Sequence, residues 1–172
     1  MALQHHFVDE TDSTSQTLLC LHNLWYGIRF CLFLSSTTGE KTIRFCLVTD
    51  AGHVTSDIRH YLSKADHIVI ESNHDVDMLM NGPYPIYLKR RVRGEGGHLS
   101  NAECGELLHD IYHPSLRHVF LCHLSDENND PDIAYRTASK VLASEGVQVG
   151  KDVVLSVLMR NSPSLLYNFG EF

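Results

Sequence analysis

Three segments of the chain that read as buried strands run directly into ionisable side chains. Arg44-Phe45-Cys46-Leu47-Val48-Thr49 leads into Asp50, His67-Ile68-Val69-Ile70 into Glu71, and Val119-Phe120-Leu121-Cys122 into His123. In open α/β sheets ligands gather beyond the carboxyl ends of the strands. An Asp, a Glu and a His placed there are what a metal centre or an acid–base pair requires. A fourth candidate is His98, in Gly97-His98-Leu99-Ser100-Asn101. The glycines before it let the backbone approach a ligand closely, and Ser100 opens a helix whose N-terminus favours an anion such as a phosphate. The plainer alternative is that each charge caps a turn or joins an ion pair, and that His98 sits incidentally in a glycine-rich helix entry.

The elements that must position these residues follow from periodicity. From Lys41 onward the order is strand, polar turn, helix, repeated, which predicts an α/β fold. A helix starts near Thr55 and turns Ile58, Tyr61, Leu62 and Ala65 to one side. Asn73 to Met80 forms a short helical turn that Pro83 and Pro85 end. Tyr84 to Arg93 is a basic amphipathic stretch closed by Gly94-Glu95-Gly96-Gly97. Ser100 and Glu103 make a capping box for a helix carrying Cys104, Leu107, Leu108 and Ile111, which Pro114 stops. The polar loop from Ser125 to Asn129 leads into Asp130 as N-cap and Pro131 at the first helical position. That helix turns Ile133, Thr137 and Val141, beside Ala134, Ala138 and Leu142, inward and ends at Gly146, and Val153 to Leu158 is the last strand. Tyr26 to Leu34 reads as a strand and Ser35 to Glu40 as a turn, whereas residues 1–16 give no assignment.

Composition sets the bounds. The 172 residues fit one domain, with 43% hydrophobic and 20% charged residues. A net charge of −7 argues against a surface that is wholly a nucleic-acid footprint, yet Lys89, Arg90, Arg91 and Arg93 form a local basic patch. A solvated helix face explains that patch equally well. The five cysteines form no C-x-x-C pair, and their odd number suits small buried hydrophobes in a reducing cytosol better than a disulfide framework. The polar N-terminus is unlike a signal peptide, and no apolar run reaches the ~18 residues of a membrane span. A cytoplasmic location without membrane attachment is the expectation.

Taken together, Thr49-Asp50-Ala51-Gly52-His53-Val54-Thr55, Glu71-Ser72-Asn73-His74-Asp75, Gly97-His98-Leu99-Ser100-Asn101 and His123-Leu124-Ser125 through Asn128-Asn129-Asp130-Pro131 resemble, in order and spacing, the YycJ/WalJ-type branch of the metallo-β-lactamase superfamily. The resemblance covers about residues 41–158, with 1–40 matching poorly, and implies one partial domain over 1–172. It implies the C-terminal half of an αββα sandwich, whose open apolar face would favour association. In that superfamily two divalent metal ions, zinc or manganese, activate water against a phosphodiester, another ester or an amide. Carried over by position, Asp50 is similar to the bridging carboxylate ligand and His123 to the last histidine ligand. Glu71 and His98 resemble the pair in which the acid orients a histidine that protonates the leaving oxygen, with His74 and Asn101 beside them. Lys89, Arg90, Arg91 and Arg93 would contact nucleic acid. The family's His-x-His-x-Asp-His string is absent, and Thr11-Asp12-Ser13-Thr14 stands where a further histidine ligand is expected. Two assignable ligands are too few for a tight site, so the chain is expected to bind metal weakly or not at all. The resemblance thus implies a nuclease-like hydrolase in the complete form, and an inactive fragment or degenerate copy serving as a binding module as the alternative.

Overall fold

In a computed structural model the residues described are 5–7, 15–19, 21–23, 28–38, 41–167 and 169. They form one eight-stranded sheet. An antiparallel part comprises β1 (His5–Phe7), β2 (Ser15–Leu19), β3 (Leu21–Asn23), β4 (Ile28–Thr38) and β5 (Lys41–Thr49). Both β2 and β3 pair with β4, end to end along one edge. A parallel part continues from β5 through β6 (His67–Glu71) and β7 (His118–Cys122) to β8 (Val154–Val157). Between the parallel strands lie α1 (Ser56–Leu62), α2 (Val76–Asn81), α3 (Ile86–Arg93), α4 (Asn101–Ile111) and α5 (Pro131–Ser144). No helix among the described residues is long and apolar enough to cross a membrane.

Alternation along the strands decides which face is core. Cys46, Val48, Ile68, Ile70, Val119, Leu121 and Leu155 project to one face and pack with Ile58 and Leu62 of α1, Leu107, Leu108 and Ile111 of α4, and Ala134, Ala138 and Leu142 of α5. The opposite face carries Phe45, Leu47 and Val69, all only half-buried. Over Phe120 on that face lie Tyr167, at a ring-centroid distance of 4.6 Å, and Phe169 at 6.3 Å.

The expected helix signals hold. Thr55 caps α1 by accepting from the Ile58 N–H, Ser100 and Glu103 form the reciprocal box on α4, and Asp130 caps α5 ahead of Pro131. Gly146, at φ +78°, follows the end of α5. Ala65 lies beyond α1 rather than on it, yet is buried. No disulfide joins the described cysteines: Cys31, Cys46 and Cys104 are buried and Cys122 is half-buried. Burial pushes the Cys104 and Cys122 thiols up to about 12. Cys20 lies outside the described residues.

Two readings change. The turn expected over Ser35 to Glu40 is strand as far as Thr38, because Ser35 pairs with Arg44 and Thr38 with Lys41 in a long hairpin. The Thr37 and Thr42 hydroxyls hydrogen-bond across it at 3.0 Å, so the β-branched threonines act as a cross-strand pair rather than as turn formers. In the N-terminal stretch without assignment, β1 and the start of β2 are strands.

At the amino ends of the parallel strands, His67 and His118 are buried neighbours whose Nδ1 atoms lie 2.8 Å apart, one donating and the other accepting. Burial, then the repulsion of His118, lowers the His67 pKa from 6.5 to about 4. The unfolded chain therefore takes up this proton before the folded one does. Stability is complete above about pH 6.5, falls by at most about 1.4 kcal/mol per pH unit for this one proton, and levels off below about pH 4. The urea midpoint is expected to drop between pH 7.5 and pH 5, and to drop less in His67→Phe, which keeps the stack on Phe169. Equal pH slopes in the two proteins would overturn this assignment.

Candidate metal centre

The four candidates from the sequence meet at the carboxyl ends of β5, β6 and β7. One ligand atom from each of Asp50, Glu71, His98 and His123 lies within 4.8 Å of all the others. Strand register explains part of this: β5 and β6 are neighbours, and Glu71 is paired with Cys122, beside His123. His98 arrives from the loop between α3 and α4, over a backbone-to-backbone contact. A Cβ on Gly52 would lie 2.6 Å from the Gly97 N and C atoms, and one on Gly97 would lie 2.1 Å from the Val92 carbonyl oxygen. Both glycines are therefore required by close approach.

Glu71 is the centre of the group. Its side chain is 0% exposed, and its Oε1 accepts from His98 Nδ1 at 2.7 Å and from His123 Nδ1 at 2.8 Å. Its Oε2 accepts from the Ala51 N–H at 2.9 Å and, more weakly, from Leu99 N–H at 3.4 Å. Burial alone would push this carboxyl up. The hydrogen bonds from His123, His98 and Ala51 outweigh it and hold the pKa at about 2. An ionised carboxylate only accepts, so both imidazoles carry their proton on Nδ1, which leaves Nε2 as the unprotonated nitrogen of each neutral ring.

Asp50 and His123 differ from Glu71 in being open to solvent, at 45% and 40% side-chain exposure. Asp50 Oδ1 faces both rings, 3.6 Å from His98 Nδ1 and 3.7 Å from His123 Nδ1. The rings stand edge to face with centroids 5.0 Å apart. Asp50 and His123 also hold left-handed backbone conformations, φ 54° and 56°, and no other non-glycine residue described does so. Such strain persists only where surrounding bonds enforce it, and it clusters at functional sites. The hydrogen bond to Glu71 is the main cause of a raised His123 pKa, against burial.

The remaining candidates fall outside this cluster. Asn101 is buried and bonds to the Ser72 hydroxyl and the Asn129 amide, while Asn129 also donates to the Ser72 carbonyl at 2.8 Å. His74 is buried with its Nδ1 lacking a hydrogen-bond partner among the described residues, and burial lowers its pKa. On α3, Lys89 Nζ donates to the Met80 and Gly82 carbonyls and Arg93 reaches the Met80 sulfur, so both brace the end of α2. Arg91 lines an open cleft of about 520 Å³ with Asp50 and His98, and Arg90 is exposed. The helix entry at Ser100 is already engaged: Glu103 accepts from its N–H and hydroxyl, and the Asn101 N–H goes to the His74 carbonyl. The anion place expected there is occupied by the chain's own carboxylate.

Sequence reading named Asn101 but missed Asn73, whose amide donates to the His123 carbonyl at 2.7 Å, and the bonds by which Ser72, Asn101 and Asn129 tie together the loops bearing Glu71, His98 and His123. The density of amides in Asn73, Asn101, Asn128 and Asn129 was the signal available.

Fold and site together define a class: a mixed α/β sheet with flanking helices and a convergent His/Asp/Glu group of metal-binding type at the carboxyl ends of its parallel strands. No family model matches the chain. Over 108 residues it is 36% identical to exodeoxyribonuclease YycJ of Bacillus anthracis, which covers 63% of this chain and 41% of that protein. It is 37% identical, again over 108 residues, to exodeoxyribonuclease WalJ of two strains of Streptococcus pneumoniae, covering 63% of this chain and 40% of each relative. The matched stretch thus spans about two fifths of these relatives. Over this stretch the chain is similar to YycJ- and WalJ-type proteins.

Proposed function

We propose that this chain carries one flank of the active site of a metal-dependent phosphodiesterase of DNA-exonuclease type. The observation that supports it is the convergence of Asp50, Glu71, His98 and His123 within 4.8 Å. Two carboxylates and two imidazoles suit a divalent cation such as zinc or manganese. Asp50 and His123 are the ligands in this reading, His123 through Nε2. A bound metal would polarise a phosphoryl oxygen and acidify a water. The chain's own residues do the rest: Glu71 fixes the tautomer and direction of both rings, and His98, when protonated on Nε2, donates to the departing oxygen. Arg91, beside His98 in the cleft, attracts the substrate's phosphates.

In this reading residues 1–172 are one partial domain, cytoplasmic, and equivalent to the C-terminal half of an αββα sandwich. The half-buried face bearing Phe45, Leu47 and Val69 would be its association surface. Two ligands hold metal weakly, and the complete form would hold two ions. The absent His-x-His-x-Asp-His string favours a second reading, an inactive module that binds a partner.

Metal titration by calorimetry and cleavage of end-labelled DNA separate the readings. Weak manganese or zinc binding is expected, with cleavage that requires added metal, and Asp50→Ala or His123→Ala should reduce both at least tenfold. Failure to bind metal or cleave at millimolar metal would favour the inactive module. Activity indifferent to both substitutions would overturn the site.

A further inference from the structure

The helix α3 buries none of its residues. It carries four of the chain's fourteen lysines and arginines in eight residues and no acid, on a chain of net charge −7. It also exposes Tyr87 at 72% and Ile86 at 58%, a large apolar exposure beside the cations. Leu88, Arg91 and Val92 face the cleft that holds Asp50 and His98. Tyr87 is four residues before Arg91, so the two side chains are neighbours one turn apart, about 6 Å along the axis and about 40° around it. Arg91 therefore sits at the cleft with Tyr87 one turn away on the same helix, at a spacing that adjacent nucleotides span.

From this arrangement we infer that α3 is a docking platform for single-stranded nucleic acid, in which Tyr87 stacks on an unpaired base while Arg90 and Arg91 hold the flanking phosphates. Charge complementarity selects a polyanion, and the exposed ring selects one with open base faces. A duplex buries its base faces in its own stack and offers Tyr87 nothing to cover. Lys89 and Arg93 contribute positive potential but stay committed to Met80 and Gly82. The inference deepens the nuclease reading and rests on it, naming an unpaired strand as what enters the cleft.

The test is fluorescence anisotropy with a labelled oligothymidylate and a blunt duplex of equal length, on the full chain in EDTA so that nothing is cleaved. Tyr87→Ala is expected to weaken single-strand binding about tenfold, as loss of one aromatic–base stack does, with little change for duplex. Tyr87→Phe retains the affinity, since the ring face and not the hydroxyl makes the contact. Arg91→Ala weakens binding to both and lowers the salt dependence by about one counterion. Tyr87→Ala binding single strands like the parent, or losing duplex affinity equally, overturns the platform. Because binding is read without metal, Tyr87-dependent binding with no metal-stimulated cleavage overturns the nuclease reading and leaves the platform standing. Cleavage with binding indifferent to Tyr87 overturns the platform and leaves the nuclease reading.

Discussion

Glu71→Gln is expected to leave the protein folded and close to parental stability while weakening metal affinity and any phosphodiesterase activity by about 10–100-fold, the usual cost of losing a partner that orients a ligating histidine. A glutamine amide has one acceptor oxygen and two N–H donors. Its oxygen can take over the bond from the Ala51 N–H, and its amide group can donate to both imidazoles. The hydrogen-bond count at this fully buried position is then preserved. The direction of both imidazole bonds reverses. Each Nδ1 becomes an acceptor, each ring moves its proton to Nε2, and Nε2 changes from lone pair to N–H. His123 then no longer offers a ligand. Nitrogen-15 spectra of the imidazoles read the tautomers directly, and calorimetry reads the metal. Unchanged tautomers together with unchanged metal affinity would dispose of the idea.

Glu71→Ala provides the contrast. It strips the carboxylate from two part-buried imidazole N–H groups and from the buried Ala51 N–H, and opens a cavity where a fully buried side chain stood. A loss of about 3 kcal/mol is expected, or roughly 6–12 °C in melting temperature for a chain of this size. A variant that is stable and inert, beside one that is unstable, separates the chemical task of this carboxylate from its structural one.

Gly97→Ala is the second large effect. The added methyl would sit 2.1 Å from the Val92 carbonyl oxygen and 2.4 Å from that of Arg91. Both are backbone atoms at the end of α3, and neither can swing aside as a side chain would. The loop must lift, which breaks the packing of Gly97 on Gly52 and pulls His98 away from Glu71. A stability loss of about 3 kcal/mol is expected from overpacking of this kind, again roughly 6–12 °C. The same methyl at Gly146 meets nothing within 4 Å; there the penalty is confined to its positive φ and should stay near 1 kcal/mol. Thermal denaturation of both variants checks the ranking. Gly97→Ala melting within about 2 °C of the parent would mean that the close approach is not needed.

Much of this could be read along the chain. The alternation of Ile68 and Ile70 with Val69, the Ser100–Glu103 box and the Asp130-Pro131 helix start are local patterns, governed by contacts between residues a few positions apart. They fixed the order of strands and helices from β5 onward, and with it the placement of Asp50, Glu71 and His123 at the carboxyl ends of neighbouring strands. The two strands of the β4–β5 hairpin were legible, but its reach through Ser35 to Thr38 was not, because serines and threonines suit a turn or a strand equally until a partner strand is present.

The candidate site shows the same division. Its four members could be named from sequence because their types and positions at element ends are local properties. Which atom bonds to which depends on residues 20 to 52 positions apart meeting in space. Hence the sharing of a single Glu71 oxygen by His98 and His123, the left-handed backbone at Asp50 and His123, and the diversion of Lys89 and Arg93 to α2 were decided by the tertiary structure. Sequence determined that a carboxylate and histidines would stand at the strand ends. Only packing, through the burial of Glu71 and the approach of Gly97 to Gly52, decided that they would act as one group.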